Sequence, residues 1–143
     1  MDKDLLNAKN VLNEECLTCV LCRGDIVYKA GQRGVKPLLD WVDSGIDTDG
    51  FSAADRVVGN AAAFLYVYLG IKAVYSPIMS KAAVFTLEKH GIEVFYDEKA
   101  EYIINRSGTG KCPMEEAVFG ISDTKQALNA IRTRLDELKT SDI

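Results

Sequence analysis

The chain has 143 residues, of which 48% are hydrophobic, and its 17 Lys and Arg against 21 Asp and Glu leave a net charge of −4. This length and apolar content support one core, so a single domain over residues 1–143 is expected. The acidic balance excludes the basic surface of a dedicated nucleic-acid-binding protein and favours a small-molecule or protein partner. The N-terminus lacks a signal-peptide pattern, and no apolar run reaches the roughly 18 residues of a membrane span, which predicts a cytoplasmic protein without a membrane partner.

The first third of the chain predicts a helix, a hairpin and a second helix. Apolar residues recur at helical spacing near the N-terminus, and two β-rich runs then flank an Arg-Gly-Asp turn. Proline in the first turn and glycine beyond the end bracket the next helix. The predicted elements are a helix over about residues 3–13, strands at 17–21 and 26–28, and a helix between Pro37 and Gly45.

The run FSAADRVVGNAAAFLYVYLG predicts a central helix from Ser52 to Leu69. Ser52 followed by Asp55 resembles a capping box, and apolar residues cover almost the whole circumference, so the helix should be buried. The polar exceptions, Asp55, Arg56 and Asn60, fall on one stripe. Two interpretations stay open: an internal Asp55–Arg56 ion pair, or a wall that faces a ligand.

The second half of the chain alternates strands and helices. The pattern predicts strands at 73–75, 93–96 and 102–104, a helix from Met79 to His90, and a last helix that begins near Ser122 or Asp123. Alternating elements of this kind predict an α/β fold, a three-layer α/β/α sandwich around a mixed sheet of about five strands.

A second polar cluster lies in the run CPMEE. Cys112 is at the cap of a predicted helix, Pro113 is its first residue and Glu115 is in its first turn. One interpretation is an ordinary helix start. The other is a metal-independent enzyme, with Cys112 as nucleophile and Glu115 as acid-base partner, because a helix N-terminus favours the thiolate.

Cysteines at 16, 19, 22 and 112 raise the possibility of an iron–sulfur or zinc site. In a strand, however, side chains alternate, so Cys16 and Cys22 would face one way and Cys19 the other. The spacing therefore favours small apolar strand residues, and no metal or other cofactor is expected.

Several runs in the middle of the chain carry a resemblance to a known fold. The order of elements up to Tyr96, with the Ser76-Pro77 turn and the run GIEVFYD, resembles the cytidine deaminase-like fold. The runs DRVVGNAAA and CPMEE, with the segment from Ser76 to Gly91, look more closely like a small uncharacterised family assigned that fold without its zinc signature.

The resemblance implies an altered active site. Zinc deaminases carry Cys-x-x-Cys where this chain has Ile78 and Lys81, and place His or Cys with Glu at the first core helix, where the run from Phe51 to Val58 has none. Tetrahedral zinc needs three such ligands, so zinc-dependent deamination is not expected.

These patterns predict a metal-free binding or regulatory domain for a small, anionic or nucleotide-like molecule. Helix N-termini that no longer face a metal still offer amide donors to an anion. A homodimer or larger homo-oligomer is expected from the exposed apolar surface of so small a domain and from the habit of the fold that it resembles. The predicted ligand-binding residues are Asp55, Arg56, Asn60, Ser76, Ser80 and Lys81.

Overall fold

The computed structural model describes residues 1–104 and 112–141, which form six strands and six helices around a mixed sheet. The strands are β1 (Cys19–Arg23), β2 (Ile26–Ala30), β3 (Ser52–Asp55), β4 (Val57–Val58), β5 (Ala73–Ser80) and β6 (Glu93–Ala100). The helices are α1 (Lys3–Glu14), α2 (Lys36–Ser44), α3 (Asn60–Leu69), α4 (Lys81–Lys89), α5 (Pro113–Ala117) and α6 (Thr124–Ser141).

The sheet combines an antiparallel half with a parallel half. β1 pairs antiparallel with β2 and with β3, whereas β5 pairs parallel with β3, β4 and β6. β6 pairs with β5 along its length, from Ala73 to Ser80. On the other side of β5, β3 pairs with the first part of the strand and β4 with the later part. The expected mixed sheet is confirmed, with six strands where about five were predicted.

Helices cover both faces of this sheet. Ala8 and Leu12 of α1 pack against Val20, Cys22 and Ala54 on one face. The larger core lies on the opposite face, where α3 packs against α2, α4 and α6. The predicted α/β class is therefore confirmed. No helix in residues 1–104 and 112–141 is long and apolar enough to cross a bilayer.

The predicted central helix begins eight residues later than its capping-like signal suggests, which is a correction. The segment 52–58 forms β3 and β4, and α3 begins at Asn60 with Gly59 as its N-cap in an extended conformation. A strand that is buried on both faces of a parallel sheet reads as a continuous apolar run, so its sequence does not differ from that of a buried helix. The buried character of α3 itself is as predicted.

The predicted turn at Ser76-Pro77 is also wrong, because β5 continues through it. Pro77 lies between the paired positions Ser76 and Ile78, and the Ser76 hydroxyl donates to the Ile78 carbonyl at 2.7 Å and accepts from the Ile78 N–H at 3.2 Å. A proline is tolerated in a strand where its missing N–H is not needed by the ladder. As a result α4 begins at Lys81, two residues later than predicted.

Candidate functional site

A cavity of about 530 Å³ opens beside the carboxyl end of β3. Its polar lining includes Asp55, Arg56 and Glu115, together with the exposed side chain of Arg33. Its apolar lining comes mainly from α2, α3 and the segment around α5, as Pro37, Leu38, Ala61, Ala62, Ile103 and Met114. We call this space the Asp55 cavity.

Asp55 is held at the wall of the cavity by a buried tyrosine. The hydroxyl of Tyr66, which is fully buried on α3, donates to Asp55 Oδ2 at 2.6 Å. The Tyr66 oxygen lies 3.0 Å from the buried Sγ of Cys19. When Asp55 is ionised, the single proton of the phenol goes to the carboxylate, so the Cys19 thiol is then the donor in the second contact. Cys19, Tyr66 and Asp55 thus form a hydrogen-bonded row that ends at the cavity.

Burial changes the acidity of all three groups in this row. Desolvation raises the pKa of Asp55 to about 7, although the bonds from Tyr66 and Val57 lower it. Desolvation also raises the pKa of Tyr66 and of Cys19, and the charge of Asp55 adds to both shifts. Asp55 is therefore the member of the row that exchanges its proton near neutral pH.

Arg56 lines the cavity, but its guanidinium is bound to the end of α1. It donates to the carbonyl of Leu17 at 3.0 Å, the side chain of Asn13 at 3.1 Å and the carbonyl of Leu12 at 2.8 Å. The Asp55–Arg56 ion pair that the sequence allows is absent among the described residues, because each side chain has other partners. Arg56 closes the C-terminal end of a helix, where a cation also complements the dipole.

Glu115 reaches across the cavity to the start of α3. Its two carboxylate oxygens accept the Asn60 N–H at 2.8 Å and 3.0 Å, so Glu115 occupies the N-terminus of that helix. A Cβ on Gly59 would overlap with Glu115 Oε1 and lie 2.8 Å from Glu115 Cδ. A larger residue at position 59 would therefore require the Glu115 carboxylate to move from its place at the start of α3.

Three of the four thiols, those of Cys16, Cys19 and Cys112, line the same cavity. Cys112 is half-buried at the N-cap of α5, and its N–H donates to the Ile103 carbonyl at 2.9 Å. Cys22 packs under α1 on the opposite face of the sheet from Cys19, as the alternation predicts. The same prediction is wrong for Cys16, which precedes β1 and lines the cavity with Cys19. In the part of the chain that the structure describes, no three His, Cys, Asp or Glu side chains are close enough to hold a metal ion.

The remaining predicted residues lie away from the Asp55 cavity. Asn60 and Lys81 line a separate groove of about 340 Å³ beside α4, where Asn60 Oδ1 accepts from the Thr86 hydroxyl at 2.5 Å. Lys81 forms an ion pair with Glu101. Ser80 is the N-cap of α4 and accepts from the Ala83 N–H at 3.1 Å, so its oxygen serves its own helix, as that of Ser76 serves β5.

Two residues that contribute to this site, Arg33 and Tyr66, are not predicted from the sequence. Arg33 follows the hairpin in a segment with no periodic pattern, and Tyr66 is one aromatic residue on a helix that is apolar on all sides. The available signal for Tyr66 was its hydroxyl group, since a phenol on a fully buried helix needs a polar partner. The positive φ of Cys16, 52°, likewise has no sequence signal.

Comparison with known proteins finds a family match over most of the chain. The sequence model of the family described as "Domain of unknown function (DUF1893)" matches residues 7–135. No curated protein sequence is significantly similar to the chain. Among solved structures, a DUF1893 family protein from Thermotoga maritima is 24% identical, with a TM-score of 0.81 over 96% of this chain and 92% of that one.

Two deaminases show a weaker structural similarity. A diaminohydroxyphosphoribosylaminopyrimidine deaminase/5-amino-6-(5-phosphoribosylamino)uracil reductase from Thermotoga maritima is 15% identical, with a TM-score of 0.45 over 65% of this chain and 35% of that chain. A dCMP deaminase from the cyanophage S-TIM5 is 13% identical, with a TM-score of 0.45 over 69% of this chain and 99% of that chain.

Proposed function

This chain belongs to the DUF1893 family, and we propose that it is a domain that binds a small molecule in the Asp55 cavity. The observation that carries the proposal is the cavity itself. Its volume of about 530 Å³ lies within the roughly 300–1,000 Å³ of small-molecule sites, and a few polar groups interrupt a mostly apolar lining, which is the usual composition of such sites.

Arg33 is the reason to expect an anionic group on the ligand. The N-termini of α3 and α4 are occupied by the chain's own Glu115 and Ser80. Arg33, in contrast, is exposed at the cavity and forms no hydrogen bond or ion pair with another described residue. A guanidinium binds phosphate or carboxylate through two donors in a fixed geometry, so Arg33 is the residue to which we assign the anion.

The test uses nucleoside 5′-monophosphates as probes. Each is added to the isotope-labelled protein, and binding is followed by the amide NMR shifts of Gly34, Ala61 and Ala62, which line the cavity. At least one probe is expected to shift these amides. Arg33→Ala should weaken that binding by about tenfold or more, because a charge-assisted hydrogen bond is lost.

The matched control is Arg132→Ala. Arg132 is an arginine on α6 that pairs with Asp43 and lies outside the cavity lining, so its loss should leave binding unchanged. The proposal is contradicted if none of the nucleoside 5′-monophosphates shifts the cavity amides, or if Arg33→Ala and Arg132→Ala have equal effects.

A metal-independent thiol enzyme is the second candidate function. It is favoured by the position of Cys112 on the same cavity as Asp55. The acid-base role proposed for Glu115 has a structural cost, because proton transfer to that carboxylate would weaken its contact with the Asn60 N–H.

Thiol alkylation distinguishes the two candidates. With iodoacetamide as the reagent, an activated Cys112 should react faster than a free peptide cysteine, whereas a thiol in a binding wall should react more slowly. A short unstructured cysteine peptide provides the reference rate, and peptide mass spectrometry separates Cys112 from the other thiols of the chain.

A further inference from the structure

The buried end of the Asp55 cavity presents an acceptor to the ligand. Tyr66 and Cys19, which lie behind Asp55, are 0% and 3% exposed, and the Tyr66 hydroxyl donates to the carboxylate while the Cys19 sulfur contacts the Tyr66 oxygen. The Val57 N–H also approaches Asp55 Oδ1, at 3.4 Å. Tyr66 and Val57 both donate to Asp55, and Cys19 contacts Tyr66 behind it, so the space in front of Asp55 offers a ligand an oxygen acceptor.

No cation of the described residues compensates Asp55. Arg56 donates to Leu12, Asn13 and Leu17 at the end of α1. Arg33 lies exposed on the segment before α2. The other titratable groups on the cavity are Glu115, which is bound to the start of α3, and the thiols of Cys16 and Cys112. A desolvated carboxylate without a cation is costly, and a ligand cation would remove that cost.

We propose that Asp55 binds a cationic or hydrogen-bond-donating nitrogen at the buried end of the cavity, while Arg33 binds an anionic group nearer its opening. This inference rests on the proposed function and narrows its ligand class. The ligand is a molecule with a donor nitrogen at one end and a carboxylate or phosphate at the other, such as an amino acid or an amino-substituted heterocycle with a phosphate.

Binding of the nitrogen is then linked to proton release. A cation pairs with the ionised form of Asp55, and burial raises the pKa of this carboxyl to about 7. Below that pKa the carboxyl holds a proton, which a cationic ligand must displace. The affinity for a cation should therefore rise with pH through neutrality and level off above it.

The test uses three aromatic probes of similar size: benzylammonium, benzoate and 4-(aminomethyl)benzoate. The amide NMR signals of Val57 and Gly34 report on the Asp55 end and the Arg33 end respectively. Benzylammonium should shift Val57 and bind about tenfold more tightly at about pH 8 than at about pH 6. Benzoate should shift Gly34 but not Val57, and the third probe should shift both and bind most tightly.

Variants test whether the pH dependence of benzylammonium binding comes from Asp55. Asp55→Asn keeps an oxygen that can accept from Tyr66, and it should remove the pH dependence of benzylammonium binding. Tyr66→Phe removes a bond that lowers the pKa of Asp55, so it should move the midpoint to higher pH. Asp25→Asn, at an exposed aspartate of the β1–β2 turn, is the matched control and should change neither.

The possible failures are distinguishable, and the pH series on the unaltered chain needs no variant to fold. If benzoate binds through Arg33 while benzylammonium does not bind, the inference is wrong and the proposed function stands. The inference is also wrong if benzylammonium binds equally at both pH values or is unaffected by Asp55→Asn. If none of the three probes shifts either amide, the inference and the proposed cavity function are both contradicted.

Discussion

At the scale of single residues, Asp55 and Glu115 show how one side-chain type takes two roles in one cavity. Glu115 accepts the first free N–H of α3 through both oxygens, so its charge lies at the positive end of a helix dipole. Asp55 lies at the end of a strand beside buried apolar residues and has one hydroxyl partner. The first carboxylate stabilises the fold, whereas the second is costly to it when ionised.

Asp55→Asn should therefore change the pH dependence of stability. The pKa of Asp55 rises from 3.8 to about 7 on folding, so the native state binds more protons than the unfolded chain between these values. Stability contributed by this group is greatest at low pH and is lost as pH rises toward 7. The advantage of Asp55→Asn over the original chain should grow by about 2–3 kcal/mol between about pH 5 and about pH 8.

Urea unfolding at the two pH values measures this difference, with Asp25→Asn as the exposed control. An advantage that stays constant with pH would show that Asp55 does not titrate in this range.

Gly59→Ala tests the contact between α5 and α3. The added Cβ would overlap with Glu115 Oε1 and lie 3.2 Å from Ile103 Cγ1, so the carboxylate must leave the Asn60 N–H. The loss should resemble removal of an N-cap and cost about 1–2 kcal/mol of unfolding free energy. In a Glu115→Ala background the same change should cost less, because the cap is already absent.

The control for this prediction is Gly31→Ala, since nothing lies within 4 Å of a Cβ at that glycine. Equal unfolding free energies for Gly31→Ala and Gly59→Ala would contradict the proposed close contact.

At the scale of secondary-structure elements, Arg56 connects the end of β3 to the end of α1. Its side chain makes three hydrogen bonds across that junction, and its N–H donates to the Thr18 carbonyl at 3.0 Å. The helix that covers one face of the sheet is thereby joined to the segment that leads to β1. Arg56 thus holds this junction in place, and the junction in turn positions the wall of the cavity.

Arg56→Ala should destabilise the chain by about 1.5–3 kcal/mol, because charged hydrogen bonds to α1 and Leu17 are lost. Asp55→Ala should change stability by the same amount with and without Arg56→Ala, since the two side chains share no bond. In a double-mutant cycle by urea unfolding, the two changes should add within about 0.5 kcal/mol.

Arg132→Ala removes an arginine from a half-exposed ion pair and should cost less than about 1 kcal/mol. An effect of Asp55→Ala that is much more favourable in the Arg56→Ala background than in the original chain would instead support the ion pair that the sequence allows.

At the scale of the whole molecule, the sheet separates groups that are close in sequence. Cys19 and Cys22 lie on opposite faces of β1, under different layers of helices. The spacing that resembles a cluster motif therefore places its thiols in different environments. This separation of the thiols leads to a prediction about the metal content of the protein.

Elemental analysis of the purified protein is expected to find no stoichiometric zinc or iron. Three of the thiols line the Asp55 cavity, but among the described residues they do not form a group that can hold a metal ion. About one metal ion per chain would overturn this prediction.

Self-association is the second prediction at this scale. Phe85 on α4 is 68% exposed beside the groove that Asn60 and Lys81 line. Exposed aromatic surface of this kind is commonly covered in homo-oligomers. Sedimentation at micromolar concentration should find a dimer or larger assembly, and a single monomeric species would contradict the prediction.

Elements whose signals lie within a few residues were predicted from the sequence, whereas features that depend on burial in the folded chain were not. The β1–β2 hairpin and α2 are as predicted, because Gly24 takes φ of 59° in the turn, Pro37 lies in the first turn of α2 and Gly45 takes φ of 71° at its end. Each of these signals acts within a few residues. The error over β3 arose because residues 52–54 are all buried, which removes the alternation by which a strand is recognised.

The sequence by itself determined the α/β class, the ends of elements that glycine or proline marks, and the opposite orientations of Cys19 and Cys22. These features depend on local backbone preferences and on side-chain periodicity. Only the tertiary structure decided that Asp55, Cys112 and Glu115 line one cavity, that Tyr66 is the partner of Asp55 and that Arg56 turns to α1. These contacts join residues that are distant along the chain. Their geometry follows from how β3, α3 and α5 pack, and local patterns do not contain that information.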